Sequence, residues 1–158
     1  MKSVYNFVVT PVKSRYNNTK HIDGKELILN TEMFNHQYVS REAIVKAIPT
    51  VGDTDIKVGD TVIVHHNVFR RWHNQYGIEK NSRGYIDEQT YLVQPDQIFL
   101  YKDTEWQAQK GYCFVAPVKS TDKTSVDKEK PLVGIVKHTD GTVNKGDLIG
   151  FRPSSEYE

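Results

Sequence analysis

Short stretches of apolar and β-branched residues alternate with polar, turn-forming segments along most of the chain. Stretches of this length, bounded by Gly, Pro, Asn and Asp, predict β-strands. No window of ten or more residues has the apolar spacing of an amphipathic helix. The pattern therefore predicts an all-β protein. The predicted strands are residues 4–9, 40–48, 61–64, 90–93 and 97–101.

Polar segments separate these strands. Residues 15–26 contain the turn formers Asn17-Asn18 and Asp23-Gly24 and are predicted to form a long exposed loop. The apolar triplet Leu27-Ile28-Leu29 interrupts this polar run, and the whole segment 15–39 is a candidate mobile loop. Residues 65–89 are polar and aromatic, with loops predicted at Asn74 and at residues 81–84. Residues 104–110 form a predicted linker, long enough for one helical turn.

Three segments recur in the same order in the two halves of the chain. Self-similarity of this kind indicates repeated structural units. The sequence therefore predicts two copies of one β module: residues 1–103, the linker 104–110, and a second, partial copy at 111–158. The matched pairs are 9–14 with 115–120, 43–46 with 134–137, and 57–64 with 144–151.

The second copy is shorter than the first. It ends at Glu158, before any counterpart of residues 91–101. We therefore expect it to lack the closing strands of the first copy. Either another segment completes it, or the chain is a truncated product.

Composition restricts the classes of partner. The 21 basic and 20 acidic residues leave a net charge of +1, which argues against a nucleic-acid interface, since neutralising phosphates requires a basic surface. Cys113 is the only cysteine, so no intramolecular disulfide is expected, and the chain fits a reducing cytoplasm. No apolar run reaches 18 residues and no signal-peptide core opens the chain, so neither membrane insertion nor secretion is expected.

Catalytic and metal-binding signatures are weak. His65, His66 and His73 lie close in sequence, but adjacent strand residues point to opposite faces, and no cysteine or carboxylate pair completes a four-ligand set. We therefore expect no metal site. No P-loop, G-x-G-x-x-G or G-x-S-x-G motif is present, so no cofactor and no enzyme activity are expected.

Residues 70–76 contain a run of basic and aromatic side chains. The run Arg70-Arg71-Trp72, with Tyr76 nearby, has the residue types that stack on single-stranded nucleic acid. The nearly neutral charge of the chain favours a surface or intersubunit role instead.

Several of these segments resemble the GroES-type 10-kDa co-chaperonins. Residues 57–64, KVGDTVIV, resemble the VKVGDxVIF signature of that family. Residues 40–47 lie where the family has a Ser-Thr-Arg-Gly segment, and residues 75–80 and 87–98 resemble its C-terminal stretch. The resemblance implies a small GroES-like β-barrel over residues 4–102. It also implies structural turns at Gly59-Asp60 and, in the second copy, at Gly146-Asp147.

The resemblance further implies a function. Co-chaperonins form homo-oligomeric rings that cap a 60-kDa-type chaperonin in the cytoplasm and enclose its folding clients. A mobile loop docks through an apolar tripeptide, and ATP turnover belongs to the chaperonin. The residues at this position are Leu27, Ile28 and Leu29.

Two alternatives stay open. The triplet could be an ordinary strand packed within its own barrel, and the chain could be a structural or virion-type assembly module that kept the fold without binding a chaperonin. The family's glycine-rich roof hairpin is reduced here to residues 49–55, so any dome would have a wider opening. Together with the tandem arrangement, this divergence suggests a viral (phage) version of the family.

Overall fold

Strands and turns make up the computed structural model, which describes residues 2–17, 19–28, 38–121 and 129–155. The predicted all-β class is confirmed, and the described residues contain no α-helix. No helix among them is long and apolar enough to cross a membrane. A single-turn 3-10 helix spans Pro95–Gln97. The chain divides into two units, Met1–Glu105 and Trp106–Glu158.

In the described ranges, ten strands belong to the first unit and four to the second. They are β1 Phe7–Pro11, β2 Thr19–Ile22, β3 Lys25–Ile28, β4 Glu42–Ala47, β5 Thr61–Val64, β6 Arg71–His73, β7 Glu79–Asn81, β8 Tyr85–Asp87, β9 Thr90–Val93, β10 Ile98–Lys102, β11 Trp106–Ala108, β12 Cys113–Lys119, β13 Glu129–Thr139 and β14 Leu148–Gly150.

The first unit is built on an antiparallel sheet in which β10, β5, β4, β1, β9 and β8 lie in that order. Strand β1 is buried along its whole length because it lies between β4 and β9. Pro11 ends β1, beyond the part that pairs with β9, so its missing N–H does not interrupt that pairing. Strands β8 and β10 do not pair with each other, so the predicted closed barrel is absent from the described residues.

Alternating side chains of this sheet form the core. Strands β5 and β9 are each buried at every second residue, as expected for strands with one face turned inward. The rings of Phe69 and Tyr91 meet edge to face, with centroids 4.8 Å apart. The largest fully buried side chains of this core are Phe7, Val9, Val45, Ile56, Val62, Val64, Phe69, Tyr91, Val93 and Ile98.

A tight turn leads into β5. The Lys57 amide donates to Asp60 Oδ2 (2.8 Å), and the Asp60 amide donates to the Lys57 carbonyl oxygen (3.2 Å). The Gly59 amide donates to the Val45 carbonyl oxygen (2.8 Å), and the Val45 amide donates to the Asp60 carbonyl oxygen (2.9 Å). Gly59 has φ of 97°, a conformation that favours glycine.

The second unit contains a turn with the same four hydrogen bonds. The Asn144 amide donates to Asp147 Oδ2 (3.0 Å), and the Asp147 amide donates to the Asn144 carbonyl oxygen (3.1 Å). The Gly146 and Val136 amides donate to the carbonyl oxygens of Val136 and Asp147, respectively, at 2.9 Å each. Gly146 has φ of 94°. Both Gly-Asp turns therefore use the carboxylate in the same way.

The register of β1 with β4 in the first unit matches the register of β12 with β13 in the second. The pairing of β1 with β4 shifts between Val8 and Val9. The pairing of β12 with β13 shifts between Phe114 and Val115, the residues at the corresponding positions. Among the described residues, the sheet of β12, β13 and β14 has no strand beyond β12 or β14, whereas β9 and β10 pair with β1 and β5 in the first unit.

Two segments in which the sequence indicated no strand contain strands. Residues 65–89 include β6, β7 and β8, each of three residues. These strands are too short and too polar to give a period-two pattern that separates them from loop. Strand β11, with the buried Ala108, lies within the predicted linker 104–110, and the boundary between the units falls at Glu105 and Trp106.

Candidate functional site

The β2–β3 hairpin occupies much of the predicted mobile loop. Its strands pair from Thr19 with Ile28 to Ile22 with Lys25. Asp23 and Gly24 join them, with φ of 50° and 75°. Two central residues with positive φ are the requirement of a type I′ turn, and Asp-Gly is a preferred pair for it. The Asp-Gly turn was predicted, and a strand at the triplet was one of the two alternatives left open, but β2 was not predicted.

The faces of the hairpin differ in character. Leu27 lies directly opposite Lys20, and Ile22 lies opposite Lys25. Because side chains alternate along each strand, these four share one face. Leu27 and Ile22 are diagonal neighbours on it and are 51% and 47% exposed. The two apolar side chains, flanked by two lysines, form what we call the Ile22–Leu27 patch.

The predicted docking triplet can be placed in part. Leu27 lies in β3 with its side chain turned to solvent, and Ile28 is the last residue of that strand. Leu29 falls outside the described residues, as do residue 18 and residues 30–37. Ile22 was not part of the predicted site. The Asp-Gly turn signal could have found it, because a two-residue turn fixes which residues face each other.

The base of the hairpin is fixed to the first unit. Tyr16 and Val39 form an antiparallel bridge. The Asn17 amide donates to the Tyr38 carbonyl oxygen (2.8 Å), and the Ser40 amide donates to the Arg15 carbonyl oxygen (2.8 Å). The two ends of segment 15–39 are therefore held together by backbone hydrogen bonds, and the hairpin starts from a defined position.

Arg15 anchors this base from within. Its side chain is only 5% exposed. Nε donates to the Phe69 carbonyl oxygen (3.2 Å), Nη1 to Glu88 Oε1 (3.0 Å) and Nη2 to Asn81 Oδ1 (2.6 Å). The guanidinium carbon lies 5.2 Å from the centroid of the Tyr85 ring, within cation–π range. One buried cation thus joins the hairpin base to the segments around β7 and β8.

Tyr16 makes a second connection. The Arg71 amide donates to the Tyr16 hydroxyl (2.8 Å), and this hydroxyl donates to the Arg71 carbonyl oxygen (3.2 Å). The Arg71 guanidinium lies over the Tyr16 ring, 5.3 Å from its centroid. Thr19, Glu26, Arg71 and Glu88 line a cleft of about 390 Å³ between the hairpin base and β6. Tyr16 therefore ties the base of the hairpin to the first residue of β6.

The histidines that were considered as metal ligands do not form a ligand set. His65 and His66 follow β5, and their rings stack with centroids 4.2 Å apart. The prediction that they point to opposite faces is wrong because these residues lie beyond the end of the strand. Burial, with a further contribution from Arg41, lowers the pKa of His65. Within the described ranges, no three His, Cys, Asp or Glu side chains are placed to hold a metal ion.

Cys113 starts β12 and is exposed. Burial of the sulfur raises the pKa of its thiol, and the charge of Asp140 raises it further. The thiolate is therefore disfavoured at neutral pH, and a nucleophilic role receives no electrostatic support.

Hydrogen bonds strongly stabilise the ionised form of the Asp140 side chain. The Gly111 amide donates to its Oδ2 (2.8 Å), and the amide and hydroxyl of Thr142 donate to its Oδ1 at 3.0 and 2.7 Å. These donors lower the pKa of Asp140 to about 2. The carboxylate holds the loop between β13 and β14 to Gly111, two residues before β12.

Comparison of the chain with known proteins gives no match to a family model, to a curated protein or to a solved structure.

Proposed function

We propose that this chain is a co-chaperonin-like protein that caps a chaperonin ring and assists folding of enclosed proteins. Leu27, Ile28 and Leu29 provide the docking contact, and Ile22 extends it. The observation that carries the proposal is the exposed Leu27 on a hairpin whose base is fixed by Arg15 and Tyr16. An apolar side chain held in solvent on a projecting element suits a partner that buries it.

The energies require a ring of subunits. Complete burial of an aliphatic side chain stabilises by about 1.5–3 kcal/mol. Leu27 and Ile22 are already about half covered, so a partner gains roughly 1 kcal/mol from each. One hairpin therefore binds weakly. Several hairpins on one homo-oligomeric ring, facing a ring of sites, bind tightly through effective concentration.

The paired hairpin lowers the cost of docking. Ordering a free loop costs about 1–2 kcal/mol per residue, whereas eight residues of β2 and β3 are already paired. An isolated two-stranded hairpin is marginally stable in water. The hairpin therefore retains enough freedom for small adjustments and release while presenting the Ile22–Leu27 patch in one register.

We also propose that the second unit is an incomplete copy of the first module. The matched Gly-Asp turns and the matched register shift in β1 and β12 support this relationship. Its loop, residues 121–130, contains no apolar triplet, so the second unit acts as an accessory module and docking belongs to the first.

Capture by a chaperonin tests the proposal. The chain is incubated with a purified chaperonin ring, with and without ATP, and the bound fraction is measured. We expect ATP-dependent capture that is lost when Leu27, Ile28 and Leu29 are changed to Ser and reduced by Ile22→Ser. Val58→Ser is the matched control, since Val58 is also an exposed aliphatic residue of the first unit. If the Ile22 variant and the triplet variant were both captured as well as the wild type, the docking assignment would be contradicted.

A structural or assembly role is the second candidate. Ile135 and Leu148 are directly opposed across β13 and β14 and are 37% and 67% exposed. Such an apolar cross-strand pair suits contact with another copy or with a virion component. Absence of chaperonin capture, combined with self-association lost in Leu148→Ser, would favour this role over the first.

A further inference from the structure

The two arginines at the start of β6 point in different directions. The Arg71 side chain covers the Tyr16 ring. Arg70 and Trp72, one position to either side, line a different cleft of about 650 Å³. This division follows from the alternation of side chains along an extended segment. The run Arg70-Arg71-Trp72 is therefore not one continuous stacking surface, and the exposed Tyr76 does not line this cleft.

The lining of this cleft has one sign of charge. Two guanidinium groups and an indole lie among side-chain amides, and no carboxylate lines the cleft. Arg70 and Arg83 are both exposed, and within the described part of the chain neither takes part in an ion pair. The residues that define its chemistry are Asn6, Arg70, Trp72, Arg83, Gln94 and Gln97. We call it the Arg70–Arg83 cleft.

The walls of the cleft are held by short contacts. The Ser82 hydroxyl donates to the Val68 carbonyl oxygen (2.7 Å), which ties the segment carrying Arg70 to the segment carrying Arg83. The Leu92 amide donates to the Gly84 carbonyl oxygen (2.7 Å). A Cβ at Gly84 would lie 1.9 Å from the Leu92 carbonyl oxygen, so the turn lies directly against β9. Walls fixed in this way reduce the entropy lost when a ligand binds.

We propose that the Arg70–Arg83 cleft binds a phosphate group attached to a planar ring, the chemistry of a nucleotide. Guanidinium forks match phosphate oxygens in bidentate geometry. Trp72 offers an aromatic face for the ring, and the amides of Asn6, Gln94 and Gln97 offer hydrogen bonds to its edge. The volume lies within the range of small-molecule sites, about 300–1,000 Å³.

A single compact site agrees with the charge of the protein. Binding along a nucleic-acid strand requires neutralising many phosphates, which a net charge of +1 does not favour. One phosphate between two arginines needs no such basic surface. The phosphate and ring come either from a free nucleotide or from the phosphorylated end of a strand. This site is independent of chaperonin docking.

Calorimetric titration of the full chain with adenosine 5′-monophosphate is the test. We expect saturable binding with one site per chain. Adenosine and inorganic phosphate each carry half of the recognised chemistry. They are expected to bind at least about 10-fold more weakly, because each leaves the ring or the phosphate contacts unmade. A 5′-phosphorylated oligonucleotide distinguishes the two sources. Tighter binding of the oligonucleotide than of the mononucleotide identifies a strand end, and equal or weaker binding identifies the free nucleotide.

Variants localise the binding. Arg70→Gln and Arg83→Gln are each expected to weaken binding at least about 10-fold. Trp72→Phe should retain more affinity than Trp72→Leu because it keeps a ring. Arg152→Gln is the control, since Arg152 is exposed but belongs to the second unit. All side chains changed here are exposed, so unaltered thermal unfolding is expected. No saturation at millimolar nucleotide, equal binding of inorganic phosphate, or equal loss in the Arg152 variant would overturn the proposal.

Discussion

Replacement of Arg15 by Met tests how the hairpin base is held. Met keeps the apolar stem of the side chain and removes the guanidinium. The Phe69 carbonyl and Asn81 Oδ1 then lose their donors, and a buried group left without a partner costs about 1–3 kcal/mol. Loss of the contact with the Tyr85 ring adds roughly 0.5–1 kcal/mol.

Two effects reduce this sum. The ion pair with Glu88 contributes little, because the Glu88 side chain is 57% exposed and exposed pairs are worth about 0–1 kcal/mol. Removal of a buried charge also returns the desolvation penalty that the folded protein bears. We therefore expect Arg15→Met to lower the free energy of unfolding by about 2–4 kcal/mol.

Urea unfolding followed by circular dichroism measures this change. A loss of that size moves the midpoint down by roughly 1–2 M for a domain of this size. Arg15→Lys should cost nearly as much, since one ammonium cannot replace a fork that reaches three acceptors. Glu88→Gln, the matched control for the ion pair, should cost about 1 kcal/mol or less. A Glu88→Gln loss equal to that of Arg15→Met would refute the reasoning, because the ion pair would then dominate.

Four further predictions concern two substitutions and two titrating side chains. Tyr91→Phe should raise the unfolding free energy by about 1 kcal/mol, since the buried Tyr91 hydroxyl has no partner among the described residues; a loss of stability in urea titrations would contradict this. Gly84→Ala, whose Cβ would meet the Leu92 carbonyl oxygen, should cost about 3 kcal/mol or more, and an unchanged melting temperature would argue against the close contact. Burial lowers the pKa of His65 below 6.5. The stability contributed by its neutral form is therefore complete above pH 6.5 and is lost as the pH falls toward the folded-state pKa. A His65 titration midpoint at or above 6.5, measured by NMR, would exclude this. The pKa of Asp140 is about 2 rather than 3.8, so its contribution is complete above pH 3.8 and is lost as the pH falls through about 2; carboxyl NMR with a midpoint near 3.8 would disprove it.

Buried strands were predictable from the sequence because the length of the apolar segments and their content of β-branched and aromatic residues both indicate a strand. Residues 61–64 and 90–93 form strands with the predicted bounds. Both are β-branched or aromatic segments, and both bury alternate residues in the core. The Gly-Asp turns were predictable as well, since a carboxylate that accepts an amide three residues earlier leaves a short local signature.

Other features depend on contacts that are distant in sequence. Strands β2 and β3 are only four residues each and mix charged with apolar residues, so only the Asp23-Gly24 pair indicated a hairpin. The polar segment around Arg15 predicts a solvated loop residue. Its burial depends instead on partners 54 to 73 residues away. The Arg70–Arg83 cleft likewise needs Ser82 to bind the Val68 carbonyl oxygen and Gly84 to lie against β9. No local pattern records such long-range contacts.

The mass of the assembly tests the central proposal most directly. Native mass spectrometry of the chain, alone and mixed with a chaperonin ring and ATP, reports both self-association and capture. The account predicts a homo-oligomeric ring that joins the chaperonin as one stoichiometric complex, and loss of that complex when Leu27 and Ile22 are changed to Ser. A chain that stays monomeric and never shares a mass peak with the chaperonin would contradict it, because a single Ile22–Leu27 patch is too weak to hold the partner.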